Sequence, residues 1–194
     1  MRSVPRWIVA AVAAVAVGCA GTSRAPATQP QTPTVSAAAS APVRAPSPGA
    51  IAELRGLTGE PVGQVSFTQT PAGVLVAGTV SGLGLGAHGI HIHAVGSCVP
   101  PFTSAGPHFN PENRHHGFLN PDGHHVGDMP NLILPAAGRY SFQQLIAGAH
   151  LTGDDGMLDA DGASIVIHGS RDDYATDPSG DSGGRIACGV IVAQ

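Results

Sequence analysis

The segment His88-Gly89-Ile90-His91-Ile92-His93-Ala94 alternates histidine with isoleucine. Successive side chains of a β-strand point to opposite faces, so Ile90 and Ile92 share one face and His91 and His93 the other. The isoleucines are expected in a core. The two histidines are expected side by side on the outer face, at about the spacing that two ligands of one metal need. Ser164-Ile165-Val166-Ile167-His168 repeats the design, with Ile165 and Ile167 facing in and His168 outside at the strand end. Working outward, short alternating or β-branched runs recur at residues 51–57, 63–70, 74–83, 88–94, 131–134, 140–146, 163–168 and 186–192. Turn residues separate them, as at Thr58-Gly59-Glu60-Pro61 and Asp159-Ala160-Asp161-Gly162. No stretch of this part sustains a helical period over three turns. Eight short runs with turn chemistry between them predict an all-β, antiparallel sandwich or flattened barrel. Residues 95–130 make a connection too long to be plain, so it is expected to be functional and to need something that orders it.

That connection is rich in histidine. Eight of the ten histidines lie between His88 and His125. Imidazole binds borderline metals such as copper and zinc, and a solvated loop has no reason to hold so many. His108, His116, His125 and Asp128 are spaced for a closed site, and three imidazoles with a carboxylate make a tetrahedral, zinc-like environment. Gly127 is expected to let the chain turn so that His125 and Asp128 converge. His88 reads as a structural, hydrogen-bonded histidine, and His115, His124 and His150 as exposed side chains. Asp122 and Asp161 read as turn residues.

Residues 1–19 read as an export signal. Arg2 and Arg6 precede an apolar run over residues 7–17, too short to span a bilayer comfortably. The ending Ala16-Val17-Gly18-Cys19 resembles a bacterial lipobox, in which the cysteine is lipidated and becomes the mature N-terminus. Ala16 stands where leucine is usual, and the alternative is an ordinary secretory signal cut after a nearby alanine. Either route leads to the cell envelope, in the periplasm or on the outer surface. Residues 20–48 are rich in Ala, Pro, Thr and Ser and are expected to be a disordered tether. The folded domain is then 49–194.

All thirteen acidic residues lie after residue 50, against five of the nine arginines, and the chain has no lysine. This balance argues against nucleic acid as a partner, because phosphate binding needs a basic face. With Cys19 assigned to the signal, Cys98 and Cys188 remain as one pair, and an oxidising compartment makes a disulfide the default. Closing a loop of that size constrains the unfolded chain by on the order of 4 kcal/mol.

Several segments resemble the copper/zinc superoxide dismutase family. Gly86-Ala-His-Gly-Ile-His-Ile-His93 is similar to its copper-strand motif, and Ser104-Ala-Gly-Pro-His-Phe-Asn-Pro111 to its bridging-histidine segment. His125-Val-Gly-Asp128 and Gly184-Arg-Ile-Ala-Cys-Gly-Val190 are similar to its zinc and C-terminal motifs. The segments occur in the family's order and span nearly all of residues 50–194. The resemblance implies an eight-stranded antiparallel Greek-key flattened barrel, an immunoglobulin-like sandwich with long metal-binding loops. It implies copper on His91, His93, His108 and His168, and zinc on His108, His116, His125 and Asp128, with His108 bridging the two. Asp172 would accept hydrogen bonds from the non-ligating nitrogens of His91 and His116. Arg185 would hold the anionic substrate, and the Cys98–Cys188 bridge would tie the long loop to the last strand.

The implied reaction is dismutation of superoxide to oxygen and hydrogen peroxide, protecting the envelope, with Arg185 and His108 as the catalytic residues. The implied contact with a membrane is through an N-terminal lipid only. Bacterial relatives occur as monomers and as dimers, so a homodimer stays open. In one respect the chain departs from familiar members. The stretch from Asp172 to Arg185 is short and carries Asp173, Asp177 and Asp181 but no lysine, where those members use lysine to focus the field. Long-range attraction of superoxide is expected to be weaker here, and added salt to slow the enzyme only modestly.

Overall fold

The structure is a computed structural model that describes residues 49–194. The expected export signal, Cys19 and the tether lie outside the described residues. The strands are β1 Ala50–Gly56, β2 Pro61–Thr70, β3 Gly73–Val80, β4 Gly86–His88, β5 Ile90–His93, β6 Leu132–Leu134, β7 Tyr140–Ala147, β8 Ser164–His168, β9 Arg185–Val190 and β10 Val192–Ala193. A 3-10 turn spans Thr103–Ala105. Every strand pairing is antiparallel. The main sheet runs β5-β8-β9-β1-β2-β3-β7 with β10 alongside β1, and β4 and β6 form a second, two-stranded sheet. The neighbours β5–β8, β9–β1 and β3–β7 are distant in sequence, so the chain crosses over between hairpins. The all-β antiparallel class is the one expected.

Eight expected runs become ten strands because two of them break. The run 88–94 divides at Gly89, which donates its N–H to Ser170 O at 2.8 Å and accepts from His168 N at 2.8 Å. A Cβ there would lie 2.9 Å from Ser182 Cβ. The break lets β4 pair with β6 while β5 pairs with β8. The run 186–192 divides at Ile191, whose N–H turns to Ala163 O at 2.9 Å.

One core cluster joins both sheets. Phe67 and Leu54 contribute to it from the hairpin strands, Ile90, Ile92, Ile165 and Ile167 from β5 and β8, and Leu132 and Leu134 from β6. The isoleucines of the two alternating segments therefore face in, as expected. Burying each fully contributes roughly 1.5–3 kcal/mol.

The opposite face of β5 and β8 departs from the expectation. His91 and His93 are both 0 % exposed, because the long loop lies over them. The loop attaches to the edge of β5 by backbone: Ile92 N donates to Gly127 O at 2.9 Å, Phe109 N to Ile92 O at 2.8 Å, and Ala94 N to Pro107 O at 2.9 Å. A strand edge would otherwise present unpaired donors and acceptors. The Cys98–Cys188 disulfide, with Cα atoms 5.6 Å apart, pins the same loop to β9. Phe102, Ala105 and Val166 pack around it as a second small apolar cluster.

Gly127 earns its place differently from the expectation. Its φ is not in the left-handed region. A Cβ would lie 2.4 Å from Ile92 O and 3.1 Å from Phe109 N, so glycine is needed for close approach rather than for a turn. Gly127→Ala is therefore expected to destabilise the domain by about 1–3 kcal/mol, the usual range for overpacking. Urea unfolding of the metal-free protein measures this, and an unchanged midpoint would show that the loop yields at no cost.

Candidate metal centre

β5 carries His91 and His93, and the antiparallel partner β8 ends at His168. The loop brings in His108 through a bridge opposite His93. The ring centroids of His91 and His108 lie 4.1 Å apart, those of His91 and His168 4.8 Å, and those of His93 and His108 4.9 Å. Each ring has one nitrogen engaged. His91 Nε2 donates to Asp172 Oδ2 at 2.7 Å, and His93 Nδ1 to Gly106 O at 2.9 Å. His168 Nδ1 donates to Gly183 O at 3.3 Å, and His108 Nδ1 lies 2.9 Å from Asp128 Oδ1.

The other nitrogens, His91 Nδ1, His93 Nε2, His108 Nε2 and His168 Nε2, are buried and have no hydrogen-bond partner. One ligating atom from each of the four rings lies within 4.8 Å of the others. An unsatisfied buried polar atom costs about 1–3 kcal/mol, and four together rival the whole stability of a small domain. The four converge as the ligands of one cation would. Burial pushes His93 down to about 2, His168 to about 3 and His108 to about 4. These imidazoles are therefore neutral, the form that ligates metal.

The second group lies on the far side of His108. His108 Nδ1, His116 Nδ1 and His125 Nδ1 lie 2.9, 3.0 and 3.4 Å from Asp128 Oδ1, and the His108 and His125 nitrogens are 3.3 Å apart. An ion with tetrahedral N and O ligands at 2.0–2.1 Å sets its ligand atoms about 3.3 Å apart. The donor set therefore fits zinc. Asp128 Oδ2 faces away and accepts from Gly117 N at 2.8 Å and His125 N at 3.1 Å. Burial works against the Asp128 carboxylate, but hydrogen bonds from His108, His116 and His125 hold it well below the usual carboxylate range. His116 is also buried, yet its bonds to Asp128 and Asp172 outweigh burial and raise it to about 9, so a metal taking its Nδ1 would displace a proton.

Asp172 is fully buried and links the two groups. Besides His91, it accepts from His116 Nε2 through Oδ1 at 3.0 Å, as the sequence resemblance implied. Arg185 opens β9 and is half-buried. Its Nη1 donates to Phe102 O at 2.6 Å and its Nη2 to Gly106 O at 2.7 Å. His88 is structural as expected, with Nδ1 2.8 Å from His168 O and Nε2 2.9 Å from Gly84 O. His115 and His150 are exposed, whereas His124 is half-buried, 4.5 Å from Phe118 by ring centroids.

Sequence reasoning missed Asn131 and Tyr174. Asn131 exchanges two hydrogen bonds with the Asp172 backbone, at 2.7 and 2.9 Å, and the Tyr174 hydroxyl accepts from Asn131 N at 2.8 Å. Nothing local in the sequence marks such a pairing across 41 positions.

The match to known proteins agrees with this geometry. The family model for copper/zinc superoxide dismutase matches residues 62–191. A Cu-Zn superoxide dismutase of Aquifex aeolicus is 42 % identical over 144 residues, 72 % of this chain and 84 % of that protein. A Cu-Zn superoxide dismutase of Caulobacter vibrioides is 41 % identical over 138 residues, 69 % of this chain and 79 % of that one. Among solved structures, a superoxide dismutase-like protein from Bacillus subtilis superposes with a TM-score of 0.70 at 38 % identity, covering 73 % of this chain and 97 % of that one. The chain thus belongs to the copper/zinc superoxide dismutase family and is an enzyme of that class, with superoxide as its substrate.

Proposed function

We propose that His91, His93, His108 and His168 would hold copper and that His108, His116, His125 and Asp128 would hold zinc, so that His108 would serve both groups. The observation that carries this reading is the set of four orphaned buried nitrogens beside a closed three-histidine, one-aspartate cage. Copper, when bound, would supply one-electron redox chemistry, and zinc, which has none, would supply a fixed positive charge beside His108.

In the overall reaction two superoxide anions and two protons become one oxygen and one hydrogen peroxide. A cavity of about 790 Å³ is lined by His108, His168 and Arg185. Arg185 binds the anion there and orients it. Its guanidinium is aimed by two loop carbonyls, and in a partly dehydrated site its attraction is stronger than in bulk water. His108 Nε2 faces the first group and Nδ1 the second, so Nε2 would take and return a proton only when it holds no metal. His93 Nδ1, His91 Nε2 and His168 Nδ1 stay bonded to Gly106 O, Asp172 and Gly183 O, which fixes each ring's direction.

The same reading makes this an exported enzyme, lipidated at Cys19, that protects the cell envelope from superoxide outside the cytoplasm. The signal-like residues 1–19 and the Cys98–Cys188 disulfide support it, since structural disulfides persist in oxidising compartments.

Elemental analysis of reconstituted protein is expected to give one copper and one zinc per chain, with superoxide consumption on the same sample. Zinc alone, without dismutation, would overturn the reading. Asp172→Asn should weaken zinc binding about 10–100-fold, because an amide offers one acceptor oxygen where two imidazoles need two. Competition against a chelator measures it, and wild-type affinity would remove Asp172 from the site. Mass spectrometry of the mature N-terminus is expected to find a diacylated Cys19, while a soluble form starting beyond Cys19 would contradict the anchor.

A further inference from the structure

The cavity beside the copper group has a rim of one dominant sign. Its charged lining is Arg114 and Arg185 against Asp154, Asp155, Asp159, Asp161 and Asp177. Arg114 is already paired, with Nε 3.3 Å from Glu112 Oε2. Asp177 lies 3.7 Å from His115 Nδ1. The four aspartates between β7 and β8 form no ion pair among the described residues, whose arginine pairs are Arg55 with Glu53 and Arg114 with Glu112.

These four are exposed but not loosely held. Leu151 and Met157 anchor their loop in the core, and the loop closes on itself through Met157 N to His150 O at 3.0 Å and Leu158 N to Leu151 O at 2.9 Å. Asp159 Oδ1 accepts from Asp161 N at 3.1 Å and Gly162 N at 2.9 Å. Four exposed carboxylates on a well-held loop therefore line the cavity, against the half-buried Arg185 guanidinium, which is in no ion pair, and the charge of the bound metals at the foot.

We propose that this acidic mouth opposes the entry of the anionic substrate, so that the enzyme speeds up as salt is added. The proposal rests on the functional reading above. The aspartates act through water, where the Debye length falls from about 30 Å at 0.01 M to about 10 Å at 0.1 M ionic strength. Arg185 acts at short range in a partly dehydrated site and is screened far less. Added salt thus removes the repulsion first and leaves the attraction. The sign is the reverse of the modest slowing expected from sequence. The domain's overall negative charge acts in the same direction, so the test must separate the mouth from the net charge.

The second-order rate constant for superoxide is measured on copper- and zinc-loaded protein from low to physiological ionic strength. It is expected to rise about two-fold or more between about 10 and 150 mM. Asp154→Asn with Asp155→Asn should be faster than wild type at low salt, with a flatter profile. Glu53→Gln with Glu60→Gln removes the same number of charges outside the cavity and should flatten the profile much less. Metal content and circular dichroism check that each variant is loaded and folded. Azide, a univalent anion, is titrated onto the loaded protein as a probe independent of turnover, and its affinity should also rise with salt. A wild-type rate and azide affinity that fall or stay flat overturn the proposal, as does an equal effect of the two double variants. Salt-enhanced azide binding without dismutation would uphold the acidic mouth and overturn the functional reading.

Discussion

A single buried carboxylate, Asp172, joins the imidazoles carried by strands to those carried by loops. Its Oδ2 holds His91 of β5, and its Oδ1 holds His116 of the long loop and the Tyr174 N–H at 2.6 Å. A charge withdrawn from water is costly unless it is paired and hydrogen-bonded. Burial pushes the Asp172 carboxyl up, but the bonds from His116 and His91 outweigh it and hold the group below the usual carboxylate range. The space around it is reserved: a Cβ on Gly180 would lie 1.8 Å from Asp172 Oδ1, and the residue's φ of +65° is one that glycine adopts freely. The two cages therefore share an orienting group as well as His108, and loss of Asp172 disturbs both.

The two cages are built by different means. Three imidazoles of the first cage come from paired strands, so the ladder between β5 and β8 sets their spacing. The second cage is carried wholly by the loop, where backbone position depends on contacts that are themselves side chains. Asp128 satisfies this by dividing its oxygens: one closes the loop on Gly117 and His125, and the other faces the cage. The first cage is thus preorganised by regular structure. The second is preorganised by a carboxylate that serves both the fold and the ion.

Most of this was legible in the sequence because period and residue type coincide. Alternation places Ile90 and Ile92 against Ile165 and Ile167, and the same alternation delivers His91, His93 and His168 to one side. What alternation cannot reveal is what covers that side. A strand face with histidines reads as an outer face, and only the loop's backbone pairing with β5 turns it into an interior. The role of Gly127 was misread for the same reason, since a glycine required for close approach looks like one required for a turn. Asn131 and Tyr174 stayed invisible because the Asn131 amide acts on the backbone of Asp172 and the Tyr174 hydroxyl on that of Asn131, where side-chain chemistry leaves no pattern. The sign of the cavity rim was also hidden, because Asp154 to Asp161 sit far in sequence from His108, His125 and Arg114, which share the cavity with them.

The loop's carbonyls complete the argument about Arg185. A carbonyl oxygen has two lone pairs, so Gly106 O can accept from His93 Nδ1 at 2.9 Å and from Arg185 Nη2 at 2.7 Å at once. One backbone atom therefore fixes the His93 ring and the Arg185 guanidinium relative to each other. That atom stays in place because the stretch leading to it is held twice. Cys98 bonds to Cys188 on β9, three residues beyond Arg185, and Phe102 beside it is buried and gives its carbonyl to Arg185 Nη1. The disulfide thus acts on the chemistry without touching it, by keeping the loop's acceptors opposite the strand that carries the guanidinium.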